Sequence, residues 1–300
     1  MFQKINKHYL LLHIVVFVWG WAPIFGRGIS IDALSLVWYR ILISVAMLGA
    51  YVFYKKHSIK ISIKKIVKLA CVGTIICIHW LCFYSAIKVS NISVTMAAFS
   101  TATLFTAIVE PLFFKRKIIL YELGIGTIII AAICLIFSVE IKYGLGMFLG
   151  MMAAFTSSLF SVFNGLLVKD DKEPIEAPAF SFIELGTALI VLTIYMGING
   201  NFTSAFFSVS TQDIVLLILF SGIITVFPFI ASVNLLKHIS PYTINLAVNL
   251  EGVYGIILAS IIFNENKDLS FTFYLGFAII LAAILLNAFI KQRIEKRELG

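Results

Sequence analysis

Two segments of this chain, about 150 residues apart, carry similar sequence. Residues 88–126 align with residues 238–276, and the matched positions include Ser90 with Ser240, Phe113 with Phe263 and Gly126 with Gly276. The offset is half of the 300-residue chain, so each half is predicted to hold five membrane-spanning helices. An odd number of spans per half places the second copy upside down in the membrane. Inverted repeats of this kind build the two gates of many membrane carriers around one central site, so a carrier is predicted.

The composition is that of a chain lying almost wholly in a membrane. Hydrophobic residues make up 61% of it, charged residues 13%, and the mean hydropathy is +1.03, which excludes an ordinary soluble domain. A spanning helix needs roughly 20 predominantly apolar residues. Ten spans are predicted, at 8–27, 31–54, 66–87, 92–114, 119–139, 143–168, 177–197, 212–236, 241–263 and 270–290.

The predicted fold is an all-α integral membrane protein. Its apolar runs, such as residues 128–137, are unbroken, whereas the strands of a membrane β-barrel alternate apolar and polar residues. The ten transmembrane helices are expected to form two inverted five-helix repeats, at residues 1–140 and 141–300.

Positive charge is concentrated on one side of the predicted membrane. With the N-terminus in the cytoplasm, the inside segments hold most of the Lys and Arg residues, including the basic run at 55–68. The outside loops hold only Arg27, Lys88, Lys142 and Lys267. This distribution follows the positive-inside rule and predicts a multi-pass plasma-membrane protein, in a bacterium an inner-membrane protein, with both termini cytoplasmic. Membrane topology accounts for the net charge of +8, so no nucleic-acid partner is predicted.

Several short motifs resemble one transporter family. They are Trp19-Gly20 in the first span, Trp38-Tyr-Arg40 in the second, residues 249–255 followed by Phe263-Asn-Glu265 in the ninth, and Gly276 in the tenth. Together with the repeat they are similar to the ten-span EamA-type members of the drug/metabolite transporter superfamily. Two departures are Lys115-Arg116-Lys117 in place of the family's glutamate in the first repeat, and Gly252 in place of a ninth-span proline.

The resemblance implies a mechanism and an arrangement of the spans. A central cavity is expected among spans 1, 3, 4, 6, 8 and 9, with spans 5 and 10 at the periphery, where they form a candidate homodimer interface. The resemblance also implies export of small metabolites or drugs by alternating access.

Glu251 is the leading candidate for substrate binding, because it lies about ten residues from either end of the ninth span. An ionisable side chain at the bilayer centre costs about 2.5 kcal/mol or more, so it usually faces a protein or water-filled interior. At helical periodicity it shares a face with Tyr254, and its carboxylate could bind an amino group or couple transport to protons. The alternative is a buried carboxylate that hydrogen-bonds a neighbouring helix for assembly.

Other ionisable side chains within the spans have two interpretations each. Arg40 and its repeat partner Glu184 are gating candidates at different depths, although Arg40 could instead reach the outer lipid headgroups. His79 could hydrogen-bond substrate or relay protons, but a lone histidine is more often a satisfied helix–helix contact.

Aromatic and small polar side chains complete the predicted site. Trp19, Trp21, Trp80, Tyr84 and Tyr254 would suit an amphipathic or planar substrate, with an interfacial aromatic belt as the alternative. Thr101, Thr103 and Asn164 could add neutral hydrogen bonds, although such residues also join helices to one another. Helix bends at gates are predicted at Gly20, Pro23 and Pro228, because glycine and proline interrupt helices.

The sequence favours transport over the other classes of function. It contains no G-x-S-x-G, H-E-x-x-H or P-loop motif, so no catalytic residue, metal site or cofactor is predicted. The predicted function is a secondary transporter that exports small metabolites, such as amino acids, across the plasma membrane by alternating access. A multidrug exporter of lipophilic cations and a passive metabolite channel stay open as alternatives. The predicted partners are a small-molecule substrate, the lipid bilayer, coupling protons and a second copy of the chain.

Overall fold

The computed structural model describes residues 7–115, 117–169, 173–267 and 269–298. Within these ranges all regular structure is helical, which confirms the predicted fold class for this part of the chain. Both chain ends and Arg116 lie outside them, so the predicted cytoplasmic termini stay a prediction. The α-helices are α1 Lys7–Trp19, α2 Ala22–Gly28, α3 Ala33–Tyr54, α4 Ile63–Val89, α5 Ile92–Phe99, α6 Ala102–Phe114, α7 Leu120–Val139, α8 Gly144–Val168, α9 Ala177–Ile198, α10 Ser204–Phe207, α11 Thr211–Leu219, α12 Phe227–Leu235, α13 Pro241–Phe263 and α14 Phe271–Glu298.

Eight helical stretches of the described chain are long and apolar enough to cross a membrane. They are Lys7–Gly28, Ala33–Tyr54, Ile63–Val89, Ile92–Phe114, Ile141–Val168, Ala177–Ile198, Thr211–Leu235 and Pro241–Phe263. The fifth and tenth predicted spans coincide with α7 and α14, whose apolar stretches Leu120–Ile136 and Phe271–Asn287 are shorter. The count of ten spans therefore stays a prediction.

Three of these stretches are interrupted. The first breaks between α1 and α2 at Gly20, where a Cβ atom would lie 2.6 Å from the Cβ of Tyr254, so only glycine permits this approach of α13. The fourth breaks between α5 and α6 at Ser100 and Thr101, and the Thr101 hydroxyl donates to the Ala98 carbonyl at 2.8 Å. Between α11 and α12, Phe220–Val226 is π-helical, directly before the first turn of α12, which holds Pro228.

Each half of the bundle caps a helix of the other half. Glu265, just after α13, accepts hydrogen bonds from the backbone N–H groups of Ile92 and Ser93 in the first turn of α5, at 3.0 and 2.9 Å. Glu110 of α6 accepts a hydrogen bond from the backbone N–H of Tyr242 in the first turn of α13, at 2.7 Å. Carboxylates are favourable there because the first N–H groups of a helix lack partners within it. The two caps lie at opposite ends of the bundle, so α5–α6 and α13 run antiparallel.

We name the two ends of the bundle from these contacts. The basic end holds residues 55–62 between α3 and α4, and also the start of α1, where the rings of His8 and His238 lie 4.1 Å apart. The opposite end holds residues 29–32 between α2 and α3, and the Glu265 cap. The charge pattern predicts that the basic end is cytoplasmic.

A ladder of polar side chains joins the antiparallel helices at the centre of the bundle. The Asn249 amide donates to the Thr103 hydroxyl at 2.5 Å, and the Asn245 amide donates to the Thr106 hydroxyl at 2.9 Å. The Thr106 hydroxyl lies 3.0 Å from the Ser158 hydroxyl of α8. Hydrogen bonds of this kind hold helices together where lipid supplies no water to compete. At the periphery, α7 and α14 pack against each other within one chain.

Candidate functional site

One cavity lies between the two halves and extends from the middle of the bundle toward the basic end. Its volume, counted as the space open to the centre of a water-sized sphere, is about 80 Å³. Helices α1, α2, α3, α4, α5, α8, α12 and α13 contribute to its wall, which is formed by Trp19, Ala22, Arg40, His79, Trp80, Phe83, Tyr84, Phe99, Ser157, Phe160, Ser161, Asn164, Phe229, Ser232, Leu236, Ile244, Asn245, Val248 and Glu251. Most of this wall is aromatic or aliphatic, with a few polar groups placed on it, as in many small-molecule sites.

Arg40 of α3 is held in the cavity wall by hydrogen bonds from its own side chain. Its Nε donates to the Thr225 hydroxyl at 2.8 Å and its Nη1 donates to the Tyr84 hydroxyl at 2.6 Å. Thr225 lies in the π-helical stretch, and its hydroxyl is also 3.0 Å from the Phe220 carbonyl, five residues earlier. The wider π turn therefore places the hydroxyl that receives Arg40, in keeping with the frequent occurrence of π turns at functional sites.

Aromatic rings surround the Arg40 guanidinium group. Its Cζ atom lies 4.0 Å from the ring centre of Trp80 and 4.3 Å from that of Phe220. Cation–π contacts stabilise a buried cation without using its N–H donors. Among the described residues Nη2 has no hydrogen-bond partner, so this donor is left for a ligand. Arg40 is 2% exposed, and it does not reach toward lipid headgroups in this arrangement.

Glu251 of α13 lies in the same cavity wall as Arg40. The two side chains interact electrostatically, but no direct ion pair joins them in the part of the chain that the structure describes. The Glu251 carboxylate also makes no hydrogen bond to any described residue, so both of its oxygens are left for a ligand. The cavity therefore presents one cation and one anion that are not paired directly.

His79 both joins helices and lines the cavity. Its Nδ1 lies 2.8 Å from the Ala153 carbonyl of α8. Because a carbonyl can only accept, Nδ1 must carry the proton, and in the neutral ring Nε2 is then an acceptor. His79 is 7% exposed and packs against Phe83, Phe99 and Phe160, with ring centres 5.3 to 6.0 Å away.

The structure brings part of the predicted binding set together. Trp19, His79, Trp80, Tyr84, Asn164 and Glu251 line the cavity, and Trp21, Tyr254, Thr101 and Thr103 do not. Tyr254 packs edge-on against Phe17 at 5.4 Å, and Thr103 bonds Asn249. The roles of all these residues in substrate binding stay predictions.

The gating candidates lie in the cavity wall, behind that wall, or at breaks in helices. Arg40 is part of the cavity wall, whereas Glu184 of α9 is fully buried behind it. Gly20 and Pro23 lie at the α1–α2 break, and Pro228 lies at the start of α12. Each predicted bend coincides with an interrupted helix, while gating itself stays a prediction.

Sequence reasoning found Asn164 but missed the rest of a polar stripe on α8. Ser157, Ser161 and Asn164 line the cavity together with Ser232 and Asn245 of other helices. Ser157 and Ser161 are four residues apart, and Ser161 and Asn164 are three residues apart, so all three lie on one face of α8. That spacing was present in the sequence and could have revealed the face of α8 that meets the cavity.

Comparison with known proteins identifies the family. The model of the EamA-like transporter family matches residues 6–138 and, separately, residues 145–289. The chain belongs to the EamA-like transporter family. It is accordingly a multi-pass membrane protein of a transporter family, and members of that family are transporters rather than enzymes.

Two further comparisons concern curated proteins and solved structures. No curated protein matches this chain. One crystal structure, described only as that of a protein, matches with a TM-score of 0.64 and 11% sequence identity, covering 96% of this chain and 99% of that chain. At this identity the likeness shows the fold alone.

Proposed function

We propose that this EamA-family transporter is a secondary carrier that exports small zwitterionic metabolites, amino acids or close relatives, across the plasma membrane by alternating access. The observation that carries the proposal is the placement of Arg40 and Glu251 in the wall of one cavity, without a direct ion pair between them.

The charges of the cavity match those of an amino acid. Nη2 of Arg40 can donate to a carboxylate, for which the planar guanidinium group is well suited. The Glu251 carboxylate can accept hydrogen bonds from an ammonium group. The rings of Trp19, Trp80 and Phe229 provide an apolar wall for a side chain. A ligand that carries both charges would neutralise both protein groups inside the membrane, where an uncompensated charge is costly.

The shape of the cavity supports a carrier over a passive channel. Its lining residues reach the basic end near Leu236 and Ile244, but the last turns of α2, α4 and α13 at the opposite end contribute none. At that end the two halves are joined by the Glu265 cap and by an ion pair between Glu265 and Arg27. A site reached from one side at a time is the arrangement that alternating access requires.

The alternative of a lipophilic-cation exporter is less well supported. Glu251 and the aromatic walls would suit such a ligand, but the Arg40 guanidinium group faces the same space. Like charges within one low-dielectric cavity repel strongly. The cation of this cavity therefore favours substrates that also carry a carboxylate.

A series of three analogues tests the substrate class. Efflux of radiolabelled aromatic amino acid from proteoliposomes is measured in competition with the unlabelled amino acid, its decarboxylated amine and its deaminated acid. The amino acid should compete at about ten- to hundredfold lower concentration than either analogue, because each charge-assisted hydrogen bond contributes about 1.5–3 kcal/mol. Equal competition by the amine would favour the cation exporter, and efflux that never saturates would favour a channel.

Matched variants link the result to the cavity. Arg40→Met should abolish the preference for the amino acid over the amine, and Glu251→Gln should abolish the preference over the deaminated acid. Tyr254→Phe is the control, because this tyrosine packs against Phe17 outside the cavity wall and should leave both preferences intact.

A further inference from the structure

We infer that Glu184 holds a monovalent cation, either a proton or a sodium ion, at a second site beside the substrate cavity. Glu184 belongs to α9 and is 0% exposed, inside a stretch apolar enough to span a membrane. Neither of its carboxylate oxygens has a hydrogen-bond partner of normal geometry among the described residues, and the one side chain that acts on it through a looser hydrogen bond is Asn164 of α8. A bare carboxylate is not stable in such surroundings, so a bound cation is required.

Two further buried oxygen atoms, on Asn164 and Ser181, have no hydrogen-bond partner among the described residues. Asn164 of α8 is the polar neighbour of Glu184, and the Oδ1 atom of Asn164 has no partner among the described residues. The buried hydroxyl of Ser181, one turn earlier on α9, also has none. A proton on Glu184 would supply an O–H donor to these oxygen atoms. Alternatively, a sodium ion would be coordinated by the Glu184 carboxylate, the Asn164 amide oxygen and the Ser181 hydroxyl.

Among the described residues no ion pair links a cation to Glu184. Helix α9 packs against α3, α4 and α12, and α12 carries no titratable residue, as is also true of α8. On α3, Arg40 bonds Thr225 and Tyr84 instead.

The charged groups of α4 lie away from Glu184 or are engaged elsewhere: Lys64 and Lys68 are exposed in its first two turns, and Lys88 near its end donates to the Ile29 carbonyl. The Lys65 ammonium donates to the Glu173 carbonyl, and His79 bonds the Ala153 carbonyl. Cys77 is a buried thiol. Glu251 differs from Glu184 in this respect, because Glu251 interacts with Arg40 across the cavity. The acid that lacks a counter-charge, and therefore needs a cation, is Glu184.

The position of Asn164 connects this site to transport. Asn164 lines the substrate cavity and also meets Glu184, so one side chain contacts both sites. The backbone at Glu184 is fixed against α4, since a Cβ atom at Gly73 would lie 2.2 Å from the Glu184 carbonyl oxygen. A substrate that reorients Asn164 would change the groups available to the cation, which is the coupling that a secondary transporter needs.

Infrared spectroscopy of the purified full-length protein tests the site without substrate, so the outcome is independent of the proposed substrate class. The spectrum of Glu184→Gln is subtracted from that of the wild type at neutral pH in sodium-free buffer, and again after sodium chloride is added. Binding of radioactive sodium is measured on the same samples. Glu251→Gln is the matched control, because it removes the acid that has a counter-charge.

A carbonyl band of a protonated carboxylic acid, present in the wild type and Glu251→Gln but absent from Glu184→Gln, is expected if the cation is a proton. A band that disappears on addition of sodium, with sodium binding lost in Glu184→Gln, identifies sodium. Equal spectra and equal sodium binding of wild type and Glu184→Gln would overturn the inference. Should Glu184→Gln fail to fold, Asn164→Leu serves instead. A shifted acid band or weakened sodium binding in Asn164→Leu supports the site. If the acid band and the sodium binding are both unchanged, the inference is overturned.

Discussion

The two ends of this transporter differ in how the halves of the chain meet. At the opposite end, Glu265 accepts hydrogen bonds from the Ile92 and Ser93 backbone and from the Ser93 hydroxyl, and it pairs with Arg27. A second contact there joins Asp213 to the backbone and hydroxyl of Ser30, and the cavity does not extend to this end. At the basic end, the cavity wall reaches Leu236 and Ile244 between the halves.

The unequal contacts at the two ends show how two inverted halves of one chain can form an open end and a joined end. Both halves use a carboxylate to cap a helix of the other, Glu265 for α5 and Glu110 for α13. At the opposite end an ion pair with Arg27 is added to the Glu265 cap, and this contact crosses from α2 to the end of α13. We propose that these contacts form the gate that is closed in this state, and that they exchange for a closed basic end during transport.

The largest effect is expected from removing the carboxylate of the closed gate. Glu265→Ala leaves two backbone N–H groups, the Ser93 hydroxyl and Arg27 without their acceptor, so the free energy of unfolding should fall by about 3 kcal/mol. Denaturant titration in detergent measures it. Arg27→Met is the control and should cost less than about 1 kcal/mol, because the Arg27 side chain is 35% exposed and water screens the pair. Equal losses in the two variants would contradict the importance of the cap.

A smaller effect is expected midway between the ends, where the broken first span crosses α13. Gly20→Ala would place a Cβ atom 2.6 Å from the Cβ of Tyr254, so the helices must separate, at a cost of about 1–3 kcal/mol. Gly28→Ala, at the end of α2, meets nothing within 4 Å and should change stability by about 0.5 kcal/mol or less. Thermal unfolding of the two variants side by side measures this difference. A harmless Gly20→Ala would show that the crossing is loosely packed.

The smallest effect is expected from the second contact at the opposite end. Asp213→Asn keeps one acceptor for Ser30 but loses charge-assisted bonds to the Ser30 backbone and hydroxyl, at 2.8 and 2.5 Å. Asp213 is buried, but Ser30 is exposed to water, which can replace part of what is lost. We expect the free energy of unfolding to fall by about 1 kcal/mol or less. A thiol reagent added from the opposite end should also label a cysteine in the cavity wall slightly more than in the unaltered protein. A loss as large as that of Glu265→Ala would show that Asp213 and not Glu265 dominates the gate.

The sequence predicted the helices well because each depends on local composition. Long apolar runs, the repeat and the side bias of Lys and Arg each report directly on membrane spans. The fifth and tenth predicted spans are the exception, since their apolar stretches at Leu120–Ile136 and Phe271–Asn287 are shorter.

The binding site was predicted less fully, because contacts between distant spans leave little local signal. Thr101 lies in the break between α5 and α6 and Thr103 follows it, so a helical face extrapolated from α5 does not continue into α6. Arg40 was predicted as a gate or as a group that reaches the outer lipid headgroups, and not as part of the binding site, since its place in the cavity depends on Thr225 and Tyr84, 185 and 44 residues away.

Cysteine accessibility from each side of the membrane tests the central claim most directly. Ser161→Cys is placed in the cavity wall, in a background where Cys71, Cys77, Cys82 and Cys134 are replaced, and is treated with a membrane-impermeant thiol reagent. Labelling is predicted from the basic-end side only, and Glu265→Ala should allow labelling from the opposite side as well. With Glu265 and Arg27 unaltered, equal labelling of Ser161→Cys from both sides would contradict the account, as would labelling from the opposite side alone.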